Sequence, residues 1–215
     1  MLLSFEGLPG AGKTTQGRLL RDRLAADGLR VAYLPDLGTL SISPLGNRLA
    51  ALFAWSADPF HRHDHVVTDS LLAAAVRAEI VASVIGPAAA GHEVVIEDRG
   101  AHTMYAYSLA TVLRDYPMLD PAAVLSWLRG AGTLGGPEAE LALWLRLPVA
   151  AAARRAAGRD GRRHTCEQQS YLGYVDEAYQ RMSVADTRLV RVEAGDGSPA
   201  EVHTLVYSAV SGWLG

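Results

Sequence analysis

The chain has 215 residues, 49% of them hydrophobic and 20% charged, a balance that suits one folded domain and is too apolar for a disordered one. A formal net charge of −3 supplies no general positive field for nucleic acid or acidic lipid, and no uninterrupted apolar run approaches the roughly 20 residues that span a bilayer. The start lacks a basic region ahead of its apolar residues, so it does not read as a signal peptide, and Cys166, the only cysteine, excludes an intrachain disulfide and suits a reducing, cytoplasmic compartment.

In chain order, short β-like runs alternate with longer amphipathic stretches, which predicts an α/β domain built on a mainly parallel sheet. Leu2–Glu6 reads as a buried first strand and Lys13–Ala26 as a helix with Leu19, Leu20 and Leu24 on one face, ended by Gly28. Residues 30–34 form a second strand. A helix over 44–55 takes Pro44 in its first turn, and a polar, His-rich stretch covers 56–69. The Ala-rich run 70–90 predicts a long, well-buried helix with a bend or break at Gly86-Pro87. Residues 93–97 make the third strand, 101–114 a helix, and Asp120-Pro121 the cap and first turn of another. A strand over 141–147 stops at Pro148, 149–157 is helical, and 158–166 is polar and dense in Arg. A helix over 167–182, a last strand over 188–192 and a terminal helix opened by the capping box Ser198-Pro199-Ala200-Glu201 complete the chain. No repeat or linker interrupts it, so 1–215 reads as one continuous domain.

Gly7-Leu8-Pro9-Gly10-Ala11-Gly12-Lys13-Thr14 fits G-x-x-x-x-G-K-[ST] at every fixed position, with a strand before it and a helix after it. Glycines let the backbone curl so that successive N–H groups face phosphate oxygens, and the helix N-terminus adds partial positive charge there. Gly7, Gly10, Ala11, Gly12, Lys13, Thr14 and Thr15 are the expected nucleotide-binding residues. Lys13 reaches the terminal phosphates and the Thr14 hydroxyl ligates Mg2+, so ATP and Mg2+ are the expected ligands. Lys13 is also the only lysine among 20 basic residues. The bland alternative is a glycine-rich turn between strand and helix.

Phe5-Glu6-Gly7-Leu8-Pro9-Gly10-Ala11-Gly12-Lys13-Thr14-Thr15-Gln16 resembles the opening of thymidylate kinases, which commonly read F-E-G-x-D/E-G-A-G-K-T-T-Q. The likeness continues at Pro44-Leu45-Gly46, at Arg77 in the following helix and at Asp98-Arg99 after a strand. It extends to the Arg-rich stretch 154–163 and to the helix with Tyr171 and Tyr179, and is weakest over 110–139. The resemblance implies a P-loop NTPase fold of the nucleoside-monophosphate-kinase type: a five-stranded parallel sheet flanked by helices, with a mobile Arg-rich lid near 154–166. A homodimer formed through helices is also implied, for which the Ala-rich helix is a candidate face.

The chemistry of the remaining positions agrees with phosphoryl transfer. Asp98 ends a buried strand at the edge where α/β sheets bind ligands, and either holds Mg2+, orients the acceptor or merely caps a helix. Arg99 carries a planar fork suited to phosphate or carboxylate. Among the lid residues, Arg154 and Arg159 are the candidates to neutralise charge on the transferred group, against a solvated basic loop. Lys13, Asp98, Arg99, Arg154 and Arg159 form the expected catalytic set, with Thr14 and Asp98 as metal ligands.

The acceptor side departs from the resemblance. The family has a carboxylate where Pro9 stands, an Arg in the segment 34–39 where this chain supplies Asp36, and an aromatic stacker near Ala73, while Val76 replaces an Asp. Arg77, Arg99 and Tyr107 match acceptor-side positions. Pro9, Asp36, Arg77, Asp98, Arg99 and Tyr107 are therefore the expected acceptor-binding residues. Asp36 in place of a phosphate-binding Arg suits a neutral or cationic acceptor presenting a hydroxyl, such as an amino sugar, a nucleoside or an antibiotic intermediate. Asp36 or Asp98 would then accept the hydroxyl proton. The alternatives are a dTMP kinase with a divergent pocket and a nucleotide-binding protein without an acceptor. Either enzyme takes a small-molecule acceptor and neither nucleic acid nor a membrane. His61, Asp64 and Asp69 are further candidate acceptor contacts, Trp55 and Phe60 candidate replacements for the stacker, and the loop 193–197 the segment that passes beside adenine. Metal binding by His61, His63 and His65 is disfavoured by the Arg62 among them. Trp127, Trp144 and Trp213 read as core or interface residues.

Overall fold

Five stretches rich in Leu, Val and Ile assemble into one sheet in the computed structural model, which describes residues 1–36, 40–53, 65–195 and 197–214. The strands are β1 (Leu2–Glu6), β2 (Val31–Leu34), β3 (Val94–Asp98), β4 (Leu141–Arg146) and β5 (Leu189–Glu193), in the spatial order β2-β3-β1-β4-β5 with all pairings parallel. A parallel sheet covered on both faces explains why β1, β3 and β4 read as almost unbroken apolar runs. The α/β class and the five-stranded parallel sheet expected from the sequence are the observed ones.

The period of two along each strand divides the core. Leu3, Phe5, Ile96, Leu141 and Leu143 face α1 (Lys13–Ala26) and α9 (Pro199–Leu214), meeting Leu20, Leu24, Val202 and Val206. Leu2, Val95, Ala142 and Trp144 face α5 (Ala101–Asp115) and α8 (Cys166–Ala185), and Trp144 stacks on Tyr179 at 5.6 Å. On that second face β1 continues with two buried polar residues, Ser4 and Glu6. They sit beneath the ligand-binding edge and have a positioning role described below.

The remaining helices build the rim of that edge. α2 (Pro44–Phe53) packs on α3 (Val66–Ile80), which packs on α5 and α6 (Pro121–Leu134). Asp120 caps α6 by accepting from the Ala122 and Ala123 amides, and Ser198 with Glu201 forms the expected box at the start of α9. Two expectations need correction. The Ala-rich segment begins at Val66 and passes Gly86-Pro87 without a break: α3 runs into a π-helical turn (Val81–Ile85) and then α4 (Gly86–Gly91). The wider turn directly ahead of Pro87 carries the helix past a residue with no N–H to donate. The segment is also mostly half-buried rather than core, because α2, α5 and α6 cover only part of its circumference. By length and composition Val66–Gly91 is apolar enough to span a bilayer, although no uninterrupted apolar run is; here it packs in the fold and carries the buried Arg77. The second correction is that α7 extends over Val149–Asp160, so the first residues of the expected lid are helical. Of the tryptophans, Trp144 is fully buried whereas Trp127 and Trp213 are exposed.

Candidate active site

β1 and β3 lie side by side at the centre of the sheet, so their C-terminal ends bring Gly7 and Asp98 together. Such a crevice, where connections leave in opposite directions, is where open α/β sheets bind ligands.

The loop from Gly7 to Gly12 has left-handed backbone at Gly7 (φ 127°), Gly10 (φ 83°) and Gly12 (φ 95°), conformations that a side chain would strain. A Cβ on Gly7 would also stand 2.6 Å from the Leu145 carbonyl oxygen. The Ala11 amide closes the turn on the Leu8 carbonyl, and α1 starts at Lys13 with its N-terminus at the loop. The Lys13 ammonium folds back inside the curl and donates to the carbonyls of Gly7 (3.1 Å) and Leu8 (2.9 Å). Burial, reinforced by the nearby Arg99 charge, lowers its pKa to about 7. A cation held by carbonyls beside a helix N-terminus, with no carboxylate bonded to it among the described residues, is an arrangement that an anion would complete.

Asp98, only 3% exposed, sits across from the start of α1. Thr14 Oγ1 and Tyr33 Oη both donate to its Oδ2, Tyr33 at 3.1 Å. Burial, and then the Asp98 charge, pushes the Tyr33 hydroxyl up to about 12, so it stays a donor. A hydroxyl and a carboxylate beside a phosphate loop are hard oxygen donors of the kind Mg2+ takes.

After Asp98 the backbone turns sharply. Arg99 has φ 76°, a left-handed conformation costing a non-glycine residue on the order of 1–3 kcal/mol, held by two bonds to β1. The Arg99 amide donates to the Phe5 carbonyl at 3.0 Å, and the Gly100 amide to Glu6 Oε1 at 3.1 Å. Glu6 also accepts from Ser4 Oγ and Thr103 Oγ1, which ties the first turn of α5 to the sheet. This turn aims the Arg99 guanidinium into the crevice. It donates to Asp36 at 2.9 Å and reaches the Gly7 carbonyl at 3.5 Å, linking the far side of the site to the phosphate loop. Burial works against its charge, but Tyr107 and Asp36 outweigh that and hold its pKa above the ordinary value.

Beyond Arg99 opens a cavity of about 720 Å³ bounded by the ends of β2 and β3 and by α2, α3, α5, α7 and α8. All six expected acceptor residues, Pro9, Asp36, Arg77, Asp98, Arg99 and Tyr107, line it, as do Asp69, Ala73 and Val76. Its inner end holds Arg77, whose guanidinium makes a two-pronged pair with Glu97 and a further contact to the Pro137 carbonyl at 3.4 Å. Burial raises the Glu97 pKa, opposed by Arg77. From the lid segment, Arg159, Asp160 and His164 join the lining; Arg154 is exposed on α7 and does not. Arg155 instead donates to the Gly195 carbonyl in the loop after β5 at 2.8 Å. Cys166 is exposed at the first position of α8. Trp55, Phe60, His61, His63 and Asp64 lie outside the described residues.

The sequence reading did not single out Tyr33, Glu97 or Glu6 as functional. Glu97 had a signal: a carboxylate inside a buried apolar strand needs a cation, and Arg77 lies on an adjacent helix. Tyr33 had none, since an aromatic residue in a strand is ordinary core.

The family model for thymidylate kinase matches residues 5–206. A thymidylate kinase of Synechococcus sp. is 35% identical over 98% of this chain and 94% of its own length. A thymidylate kinase of Alkalilimnicola ehrlichii is 30% identical over 99% and 94%, and a probable thymidylate kinase of Halorubrum lacusprofundi is 30% identical over the full length of both chains. The chain belongs to the thymidylate kinase family and is an ATP-dependent kinase.

Proposed function

We propose that the protein transfers the γ-phosphoryl group of ATP to the phosphate of a nucleoside monophosphate, dTMP foremost, giving dTDP and ADP. The observation that carries this is Arg99: a partly buried cation, fixed by a left-handed turn, that spans from the phosphate loop to a cavity large enough for a nucleotide. The similarity to thymidylate kinases over the whole chain supports the same acceptor.

In this reading the amides of Gly10, Gly12 and Thr15 and the Lys13 ammonium hold the β- and γ-phosphates, while the Ala11 amide, bonded to the Leu8 carbonyl, keeps the loop curled around them. Thr14 and Asp98 fit Mg2+, which when bound neutralises charge on those phosphates. Arg99 holds the acceptor phosphate in line with the γ-phosphorus. An acceptor phosphate oxygen forms the new P–O bond while the bond from the γ-phosphorus to the bridging oxygen breaks and ADP leaves. The attacking oxygen is already ionised at neutral pH, so no general base is needed. Arg159, carried by α7, stabilises charge at the transferred group, and the lid over the cavity excludes water that would otherwise take the phosphoryl group. The reading carries with it a cytoplasmic location, where ATP is supplied, and the homodimer that the resemblance implies.

A second reading, transfer to a hydroxyl of a neutral or cationic metabolite, is favoured by the charge of the cavity. Asp36, Asp69, Glu97, Asp98 and Asp160 line it against Arg77, Arg99 and Arg159, and each of these arginines is paired with a carboxylate. Initial rates of ADP formation decide between the two, with dTMP, other nucleoside monophosphates, thymidine and amino sugars as acceptors. Turnover with dTMP and none with thymidine or the sugars is expected. Turnover confined to a hydroxyl acceptor would overturn the main reading in favour of the second.

A further inference from the structure

We infer that Tyr33 is a positioning residue for the metal-binding carboxylate: its hydroxyl holds Asp98 in the orientation that leaves one oxygen for Mg2+. The inference rests on the reading above that Thr14 and Asp98 hold Mg2+.

Tyr33 lies in β2, next to β3 and one strand away from the phosphate loop. Its ring runs along α1, where position 17 is a glycine. A Cβ at Gly17 would stand 2.7 Å from Tyr33 Cε2, so the ring occupies the space that a side chain there would need. Glycine inside a helix costs roughly 1 kcal/mol relative to alanine, and close approach by this ring is the local reason for it. Packed in this way, the ring delivers its hydroxyl to Asp98 Oδ2 at 3.1 Å.

The Thr14 hydroxyl donates to the same oxygen. Oδ2 therefore accepts two protons from two different elements, α1 and β2, whereas Oδ1 accepts none among the described residues. A carboxylate held at one oxygen from two directions cannot swing about its Cβ–Cγ bond. With Oδ2 held against Thr14 in the first turn of α1, its second oxygen keeps a fixed orientation and stays unused by the described residues, as a metal ion or a metal-bound water would need. Outer groups that orient a ligand in this manner commonly change metal affinity by about 10–100-fold when removed. Thr14 alone is a poor anchor, because it is itself a ligand in this reading and its hydroxyl must satisfy the ion as well. Tyr33 takes no part in binding and is free to act only as the pin.

Tyr33→Phe keeps the ring and its packing and removes only the hydroxyl. Wild type and variant are titrated with MgCl2 at a fixed concentration of AMP-PNP while nucleotide binding is followed by calorimetry, and AMP-PNP is titrated alone in EDTA. Expected are an apparent Mg2+ constant about tenfold weaker, EDTA affinity within twofold of wild type and an unchanged melting temperature. In turnover, kcat falls with little change in KM for the acceptor, and raising Mg2+ recovers most of the loss. An unchanged Mg2+ constant, or a loss of equal size in EDTA, overturns the inference and leaves Tyr33 as packing. Asp98→Asn in the same series separates the two ways of failing. If Asp98→Asn weakens the Mg2+ constant and Tyr33→Phe does not, Tyr33 is not the pin; if neither moves it, the assignment of Asp98 to the metal falls as well.

Discussion

Replacing Asp36 by alanine separates the two acceptor readings by the sign of its effect. Asp36 Oδ2 lies 2.9 Å from Arg99 Nε, with half of the Asp36 side chain and one-fifth of the Arg99 side chain exposed. An incoming phosphate must displace this carboxylate from the guanidinium. A pair so open to solvent is worth about 1 kcal/mol at most. A carboxylate left about 4 Å from the bound phosphate would add about 1 kcal/mol of repulsion per unit charge at a water-like dielectric. Removing Asp36 therefore favours a phosphate acceptor by about 1–2 kcal/mol, which lowers KM for dTMP about 5–30-fold. KM for ATP should stay within twofold, because the phosphate loop holds ATP without Asp36. The assay is steady-state ADP release with dTMP varied at saturating Mg–ATP and again with ATP varied at saturating dTMP. If Asp36 instead binds the acceptor or takes its proton, its removal raises KM or depresses kcat by tenfold or more. A rise in KM for dTMP, or no change, would refute the argument that Asp36 competes with phosphate for Arg99.

Two further predictions follow from buried charges. Lys13, with its pKa lowered to about 7 in the nucleotide-free protein, should give opposite pH trends for stability and for nucleotide binding. Between pH 7 and its unfolded value of 10.5 the unfolded chain binds the extra proton, so stability rises with pH relative to Lys13→Met by up to about 1.4 kcal/mol per unit; bound phosphates restore the charge, so ATP affinity is highest below pH 7 and falls above it. Urea denaturation and ATP calorimetry at pH 6 to 9 check both slopes, and parallel slopes would show that Lys13 is not the titrating group. For the Arg77–Glu97 pair, Glu97→Leu alone should cost about 3–5 kcal/mol by leaving a buried guanidinium uncompensated, while Arg77→Met with Glu97→Leu should recover most of that in urea denaturation.

The fold was legible because its signals are local and repeated. Apolar runs of strand length, separated by amphipathic stretches, allow little besides a parallel α/β sheet, and Asp120 and Ser198 mark helix starts through side-chain bonds to their own neighbours. Boundaries that depend on tertiary contact were harder to place. Nothing local at Gly86-Pro87 indicates that a π-helical turn will carry the helix through, and the Arg-rich segment gives no sign that its first three residues, Gly158, Arg159 and Asp160, complete α7. The long Ala-rich segment read as core because its residues are small and apolar. How much of a helix is buried depends on how many neighbours surround it, and among the described residues α2, α5 and α6 leave most of α3 half-buried.

The same distinction divides the active site. The nucleotide half is one continuous segment whose chemistry lies in its backbone, so eight residues in the right order are enough to read it. The acceptor half is assembled from two strand ends and five helices, and the role of each side chain depends on the group it meets there. Arg77 read as an acceptor-binding residue; the structure places it in the cavity but gives two of its nitrogens to Glu97. Arg99 read as suited to a phosphate or a carboxylate; the structure gives its Nε to the Asp36 carboxylate. Each of these arginines thus meets a carboxylate before it meets an acceptor, the exposed Asp36 at Arg99 and the buried β3 residue Glu97 at Arg77. A substitution at Asp36 therefore bears on the acceptor side and leaves the left-handed turns of Gly7, Gly10 and Gly12 in place, whereas one at Glu97 also leaves a buried guanidinium uncompensated.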